Sequence, residues 1–336
     1  GIRTIDLSDD TGTSGANTVY LSSFDSTTGG MTITGSGGND KIEGVPVKAD
    51  TLAGGAGDDI FYFNVDANLF DSDNTIFDTS INGGNDTDSI TIHKTANADA
   101  AFNIVAADSW AGITNLETLN VEGATARVID IKLHTNAYDA GLRTVDLSSD
   151  TNASGANVID ASAEASDGFT LLKGSTGVDT ITGGGGVDAL HGGGGGNDKF
   201  VYSTDTLFHG GTAAPIDTVN GGTAGTDSIV IPAGAAAFTL GSGVDLDRLT
   251  SIEQFIVGGD VSNNISLTLH AHAHTDGLRT LDLSADTSTA GNHTLNVLAA
   301  TGSPAFTLKG GAGNDIITGS TGVDTLVGGD GDDKFF

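Results

Sequence analysis

The feature that most limits how this chain can fold is a carboxylate that recurs every nine residues within glycine-rich sequence. Residues 310–336 read GGAGNDIIT, GSTGVDTLV and GGDGDDKFF, which sets Asp315, Asp324 and Asp333 nine apart. The pattern is G-G-x-G-x-D-x-U-x, with U apolar. A second array holds GSTGVDTIT (174–182), GGGGVDALH (183–191) and GGGGGNDKFV (192–201), the last with one extra residue. A first array holds GSGGNDKIE (35–43), a degraded middle GVPVKADTLA (44–53) and GGAGDDIFY (54–62). Glycines admit the backbone conformations of a tight six-residue turn, and the next three residues suit a short strand with one buried apolar side chain. Two such nonapeptides complete one coil, so equal positions stack coil over coil. Many short strands at even spacing allow either a sandwich or a solenoid, and the nine-residue period favours a solenoid, so the expected fold class is all-β.

A longer period lies over the short one. GIRTIDLSDDT (1–11), GLRTVDLSSDT (141–151) and GLRTLDLSADT (277–287) are one phrase, begun again at Gly141 and at Gly277. Each leads into alternating apolar segments and then into a Gly/Asp array. The first two copies continue into related second halves, NGGNDTDSITI (82–92) with NGGTAGTDSIVI (220–231), and ITNLETLNVEG (113–123) with LTSIEQFIVGG (249–259). The expected organisation is units of about 138 residues: 1–140 with its array at 35–92, 141–276 with its array at 174–231, and a partial unit 277–336 with its array at 310–336. Short β-branched segments such as RTIDL, MTITG, RVIDIKL and HTLNVLA read as strands bounded by turn residues. The best helix candidate is 97–112. Residue 1 falls within a repeat and neither end carries a polar capping coil, so the chain is expected to be a segment of something longer, or to dock end to end.

Composition narrows the chemistry. The formal net charge is −31, and only Glu43, Glu117, Glu122, Glu164 and Glu253 of the 44 acidic residues are not Asp. A short carboxylate held close to the backbone suits turns and oxygen-ligand cation sites. Thirteen Lys and Arg residues cannot offset the acidic field, which argues against a nucleic-acid partner. The chain has no cysteine, hence no disulfide framework and no thiolate metal site. No apolar run approaches the ~18 residues of a transmembrane helix.

These arrays resemble the RTX (repeats-in-toxin) calcium-binding nonapeptides, which form a parallel β-roll, so the resemblance implies a right-handed parallel β-solenoid. That resemblance implies Ca²⁺ held between turns one coil apart by carboxylates and backbone carbonyls, in keeping with the six to eight oxygen ligands calcium takes. Carried onto this sequence, the pairs are Asp40 with Asp59, Asp179 with Asp198, and Asp315 with Asp333. Carbonyl donors come from Gly35, Gly37, Gly54, Gly174, Gly192, Gly310 and Gly328. The ladder is expected to run on at the same interval, from Asp59 to Asp78 and from Asp198 to Asp217. Asp188 and Asp324, in the middle turns, face the opposite edge, and the Pro46 segment is expected to lose that turn in the first array. Six sites at tenfold excess of calcium over Kd would add roughly 8 kcal/mol. The fifth motif position (Asn39, Asp58, Asn197, Asn314, Asp332) is read as an exposed turn residue rather than a ligand.

Other constellations are weaker. His270, His272 and His274 alternate in LHAHAH and are read as a solvated strand face in preference to a metal site. The RTxDLSxDT phrase suggests an Asx turn with an Arg–Asp pair bracing adjacent coils (Arg3, Arg143 and Arg279 with Asp6, Asp146 and Asp282), ahead of an extra calcium site involving Asp10, Asp150 or Asp286. Trp110 is expected in the core. No H-E-x-x-H, G-x-S-x-G or cysteine motif supports catalysis, so a non-enzymatic role is expected. Calcium rolls interleaved with Thr/Ala/Gly-rich strands resemble Gram-negative bacterial surface-layer proteins. The expectation is an extracellular, cell-surface structural protein, secreted by the type I route, that self-assembles into a layer or filament. Lipopolysaccharide or another surface glycan is a candidate anchor. A spacer of a large RTX adhesin is the alternative, and the C-terminal calcium domain of a secreted exoenzyme is a more distant one.

Overall fold

The computed structural model of the chain describes residues 2–13, 15–21, 29–45, 48–63, 69–70, 76, 78, 80–93, 102–122, 128–164, 168–209, 216–244, 246–273, 277–302 and 304–336. Pro46 and His274 lie outside them. The chain divides into two compact units, Gly1–Gly177 and Val178–Phe336. The boundary falls inside the second sequence repeat, so compact units and sequence repeats are different divisions of the chain.

Each unit is a parallel β-solenoid. In the first, Thr4–Asp6, Thr32–Thr34, Thr51–Ala56, Ser80–Asn85 and Ile113–Thr114 pair in parallel along one face. The alternate strands Thr18–Tyr20, Lys41–Glu43, Ile60–Phe63, Ser89–His93, Thr118–Glu122, Thr144–Asp146 and Leu171–Lys173 build a second face. Phe102–Ile104, Ile129–Lys132 and Ala156–Asp160 form a third. The chain therefore begins as a two-faced roll, passes through a coil with three faces around 113–132, and continues on the second and third faces alone.

The second unit repeats this plan. Val178–Thr182, Lys199–Val201, Ser228–Ile231, Gln254–Val257, Thr280–Asp282, Thr307–Lys309 and Thr325–Val327 form its long face. Ala189–His191, Thr218–Asn220 and Leu249–Thr250 form one short face. Phe238–Leu240, Ile265–Thr268, Thr294–Asn296, Ile316–Thr318 and Lys334–Phe335 form the other.

Parallel in-register stacking follows from side-chain alternation. One inward position per strand becomes a column. Val19, Ile42, Phe61, Ile90, Leu119, Val145 and Leu172 lie in register through the first unit. Ile181, Phe200, Ile229, Phe255, Leu281, Leu308 and Leu326 do so in the second. Phe61, Ile90, Leu119, Phe200, Phe255 and Leu281 are fully buried. At ~1.5–3 kcal/mol for a large buried aliphatic or aromatic side chain, these columns are the main apolar source of stability. Trp110 is 1% exposed and meets Phe70 edge-on at 5.7 Å. The expected helix over 97–112 is not there: of its described residues, Phe102–Ile104 is a strand, because three alternating residues suffice to pair with Ile129–Lys132. Among the described residues the one helix is Asp205–His209.

Candidate metal centre

At the recognised turns the aspartate is the last residue before a strand, or at Asp179 the second residue of one, so it sits at a corner of the coil. Its Oδ1 accepts the backbone N–H of the corner residue one coil earlier. In the first unit the Asn17 amide donates to Asp40 (2.7 Å), Asp40 to Asp59 (2.7 Å), Asp59 to Asp88 (2.8 Å) and Asp88 to Glu117 Oε2 (2.8 Å). In the second unit the Asp179 amide donates to Asp198 (2.8 Å), Asp198 to Asp227 (2.7 Å) and Asp227 to Glu253 Oε2 (2.8 Å). The third array follows suit: His293 donates to Asp315 (2.7 Å), and Asp315 to Asp333 (2.9 Å). Asp40 and Asp59, Asp179 and Asp198, and Asp315 and Asp333 are thus stacked one coil apart, joined by an amide-to-carboxylate hydrogen bond.

The continuation differs from the sequence expectation. Asp78 does not follow Asp59, and Asp217 does not follow Asp198. Corner order is set by the strand that comes next, and Ile60–Phe63 pairs with Ser89–His93, whose corner is Asp88. Asp78 belongs to the opposite edge and accepts the Asp50 amide at 3.0 Å, while Asp217 accepts the Asp188 amide at 2.8 Å. The corner expected to be lost near Pro46 is kept by Asp50, which accepts the amides of Met31 and Val45. Asp324 accepts the Phe306 amide at 2.8 Å.

The second carboxylate oxygen separates two kinds of turn. In two of the serine turns the turn satisfies its own aspartate: the Ser36 hydroxyl meets both oxygens of Asp40, and that of Ser320 both of Asp324. Among the glycine turns, Oδ2 of Asp59 and of Asp198 is buried and has no hydrogen-bond partner, whereas that of Asp315 accepts the Gly311 amide at 2.9 Å. Buried polar atoms are almost always satisfied, so each orphan marks the place of a missing group. A β-carbon at Gly54 would overlap Asp59 Oδ2 and the Gly83 carbonyl oxygen. At Gly192 it would overlap Asp198 Oδ2 and the Gly221 carbonyl oxygen, and at Gly310 Asp315 Oδ2 and the Gly328 carbonyl oxygen. Glycine is required there because two oxygens from adjacent coils converge on one point.

Gly35 fits the same scheme beneath the Gly54 carbonyl, and Gly328 faces Asp333. Gly37 instead packs on the Thr11 backbone, and Gly174 is buried. Among the described residues no three His, Asp or Glu side chains gather into a cage. The donor set is one carboxylate per turn plus main-chain carbonyls, all hard oxygens, which fits calcium.

Electrostatics points the same way. Burial, then the charges of Asp88, Asp40 and Asp58, pushes Asp59 up to about 7. Burial, then Asp179 and Asp227, pushes Asp198 up to about 7. Asp78 rises to about 8 and Asp217 to about 7, burial again leading in both. Carboxylates stacked this way resist ionisation unless a cation joins them.

A second ladder escaped the sequence reading. The fifth motif residue is exposed, as expected, yet its side chain caps the amide of the same position one coil on. Asn39 Oδ1 accepts from the Asp58 amide (3.0 Å), Asp58 Oδ1 from Thr87 (3.0 Å), Asn197 Oδ1 from Thr226 (2.9 Å) and Asn314 Oδ1 from Asp332 (2.8 Å). The preference for Asn or Asp at that position was the available signal. The Asx turns of Asp6, Asp146 and Asp282 form on the amides of Ser8, Ser148 and Ser284. The cation that meets Asp146 and Asp282 is a lysine of the next coil, Lys173 at 3.7 Å and Lys309 at 2.7 Å, rather than arginine. Arg143 lies over the Tyr138 ring and donates to two carbonyls. His270 and His272 meet edge to face at 5.2 Å, in a turn rather than on a strand.

The RTX calcium-binding nonapeptide repeat family matches the chain in four copies, at residues 32–44, 48–69, 164–198 and 307–335. The chain carries RTX calcium-binding repeats. No curated protein and no solved structure matches it. The matched segments contain Asp40, Asp59, Asp179, Asp188, Asp198, Asp315, Asp324 and Asp333, and calcium is the cofactor of these RTX turns. Asp78, Asp88, Asp217 and Asp227 fall outside them.

Proposed function

We propose that this RTX protein is a secreted, non-enzymatic structural protein whose calcium-stabilised coils assemble into a surface layer or filament. The observation that carries this reading is the repetition of one architecture. Each compact unit runs a two-faced roll with carboxylate corners into a three-faced coil and out again. A surface built by repetition offers the same contact many times, which suits self-association, whereas an active site is a single asymmetric cleft. No helix among the described residues is long and apolar enough to cross a membrane. With a net charge of −31, units approaching one another or an anionic glycan such as lipopolysaccharide need divalent cations to screen the contact.

Electron microscopy of the protein in millimolar calcium and in excess chelator tests this. Ordered sheets or fibres that form with calcium and disperse with chelator are the expected result. Monodisperse particles in both conditions would remove the assembly reading and favour the adhesin spacer.

A further inference from the structure

An open trough of about 520 Å³ runs along the second face of the first unit, beside the Asp40–Asp59 corner. Its floor is one outward column of side chains. Ile42, Phe61, Ile90 and Leu119 point into the core, so their neighbours Lys41, Ile60, Ser89 and Thr118 point out, in register from coil to coil. One rim is the exposed Asx ladder of Asn39 and Asp58, continued by Thr87. The next outward column bounds the other side. In it Tyr20 is in register with Glu43, Tyr62 with Thr91, and Thr91 with Asn120, which lines the trough. Tyr20 is 53% exposed and meets Tyr62 edge-on at 6.1 Å. Lys41 Nζ stands 5.8 Å from the Tyr62 ring and joins the aromatic pair to the floor.

The coil itself does not demand these residues. The second unit aligns KFVY (199–202) with IFYF (60–63) and EQFIV (253–257) with ETLNV (117–121). It therefore carries Val201 where the first unit has Tyr62, and Ile256 where the first has Asn120, in register through Val230. A ring and an amide on the outer face belong to the first unit alone.

The lining selects a chemistry. Asn39, Asp58 and Asn120 offer oxygen acceptors, and Lys41, Ser89 and Thr118 offer donors. Tyrosine adds a rigid face that is apolar yet wettable at its edge. Such a set suits sugar rings, whose C–H faces lie on the aromatic side chains while their hydroxyls bond the amides and the carboxylate. Ile60 is the one large apolar residue of the lining, too little for a hydrophobic peptide. Lys41 is its one basic residue, and with a net charge of −31 around it an anionic polymer is repelled. The volume falls within the ~300–1,000 Å³ of small-ligand sites.

We propose that this trough binds a neutral glycan, with Tyr20 and Tyr62 as the stacking platform and Asn39, Asp58 and Asn120 as partners of the sugar hydroxyls. The glycan runs along the solenoid axis, parallel to the two outward columns. The proposal rests on the cell-surface reading for the source of the glycan, and its test is separate from that of assembly.

The test is a glycan array of neutral and anionic oligosaccharides, probed with the full chain in millimolar calcium. Wild type should bind neutral members, and Tyr20→Ala and Asn120→Ala should each weaken that binding about tenfold or more. Val201→Thr, on the equivalent face of the second unit, should bind as wild type. Circular dichroism checks the fold of each variant. No binding to neutral glycans, binding to anionic members alone, or neutral binding that Tyr20→Ala and Asn120→Ala leave intact would overturn the proposal. Should those variants fail to fold, amide chemical shifts of the wild type with the best neutral array member decide. Shifts centred on Tyr20, Lys41, Tyr62 and Asn120 support the site, and shifts elsewhere overturn it. Calcium-dependent sheets without glycan binding would remove this site and keep assembly, whereas glycan binding by a chain that stays monodisperse would do the reverse.

Discussion

Removing calcium should destabilise the chain at pH 8 and much less at pH 5. The orphaned oxygens of Asp59, Asp88 and Asp198 set the scale. Each buried acceptor left without a partner costs about 1–3 kcal/mol, so the three together cost roughly 3–9 kcal/mol. That is comparable with the whole stability of an ordinary domain, about 5–15 kcal/mol. Acid relieves the cost. The carboxyl groups of Asp59, Asp198 and Asp217 titrate at about 7 in the folded chain, and those of Asp88 and Asp227 at about 6, all above the 3.8 of an unfolded aspartate. A raised folded value means the folded state holds its protons more tightly. The stability these groups contribute is complete below about pH 4 and is lost as pH rises through 6 to 7. In excess chelator, urea unfolding followed by circular dichroism should therefore show a higher midpoint at pH 5 than at pH 8. In millimolar calcium the order should reverse, because the ion binds the ionised carboxylates. Equal midpoints at the two pH values in chelator, or no effect of chelator at pH 8, would refute the reasoning.

Other changes separate the contributions. Gly54→Ala should destabilise by roughly 1–3 kcal/mol and weaken calcium binding, since its β-carbon overlaps Asp59 Oδ2 and the Gly83 carbonyl, whereas Gly241→Ala, with open space around it, should be near neutral in urea unfolding. Tyr202→Phe removes the hydroxyl that donates to Asp217 Oδ2 at 2.8 Å and should cost about 1–3 kcal/mol by thermal unfolding. Lys309→Ala should cost no more than ~1 kcal/mol, a difference that fades in high salt, because its pairing with Asp282 is partly solvated. Trp110, the single tryptophan, should shift its fluorescence to the red if chelation at pH 8 opens the first unit.

The short period was fully legible in the sequence and the corner order was not. Nine-residue spacing and the apolar residue two places after each aspartate led to stacked strands, and Asp40 above Asp59 followed directly. Carrying the interval between Asp40 and Asp59 forward led to Asp78, because a constant coil length was assumed. The described strands show instead that the coil from Asp59 to Asp88 is longer than the one from Asp40 to Asp59, yet its corner keeps the same place in the stack, since only the strand register constrains the corner. The local signature of Asp88, two glycines before it and an apolar residue two after, was present in NGGNDTDSI. Asn115 and Ser251 adopt left-handed conformations (φ 52° and 53°); asparagine visits that region more often than most residues, so Asn115 carried a weak signal and Ser251 none. The exchange of one face for another within each unit is likewise a product of register, which the alternating segments did not reveal.

Amide hydrogen exchange at Asp40, Asp59, Asp179 and Asp198 bears most directly on the claim that a cation holds the corners in register at neutral pH. Each of these amides donates to the carboxylate one coil on. With calcium at pH 7.5 they should be strongly protected, and in excess chelator they should exchange orders of magnitude faster while the Asp6 and Asp146 turns change little. Equal protection with and without calcium would show that the ladders stand on their hydrogen bonds alone and would contradict the account.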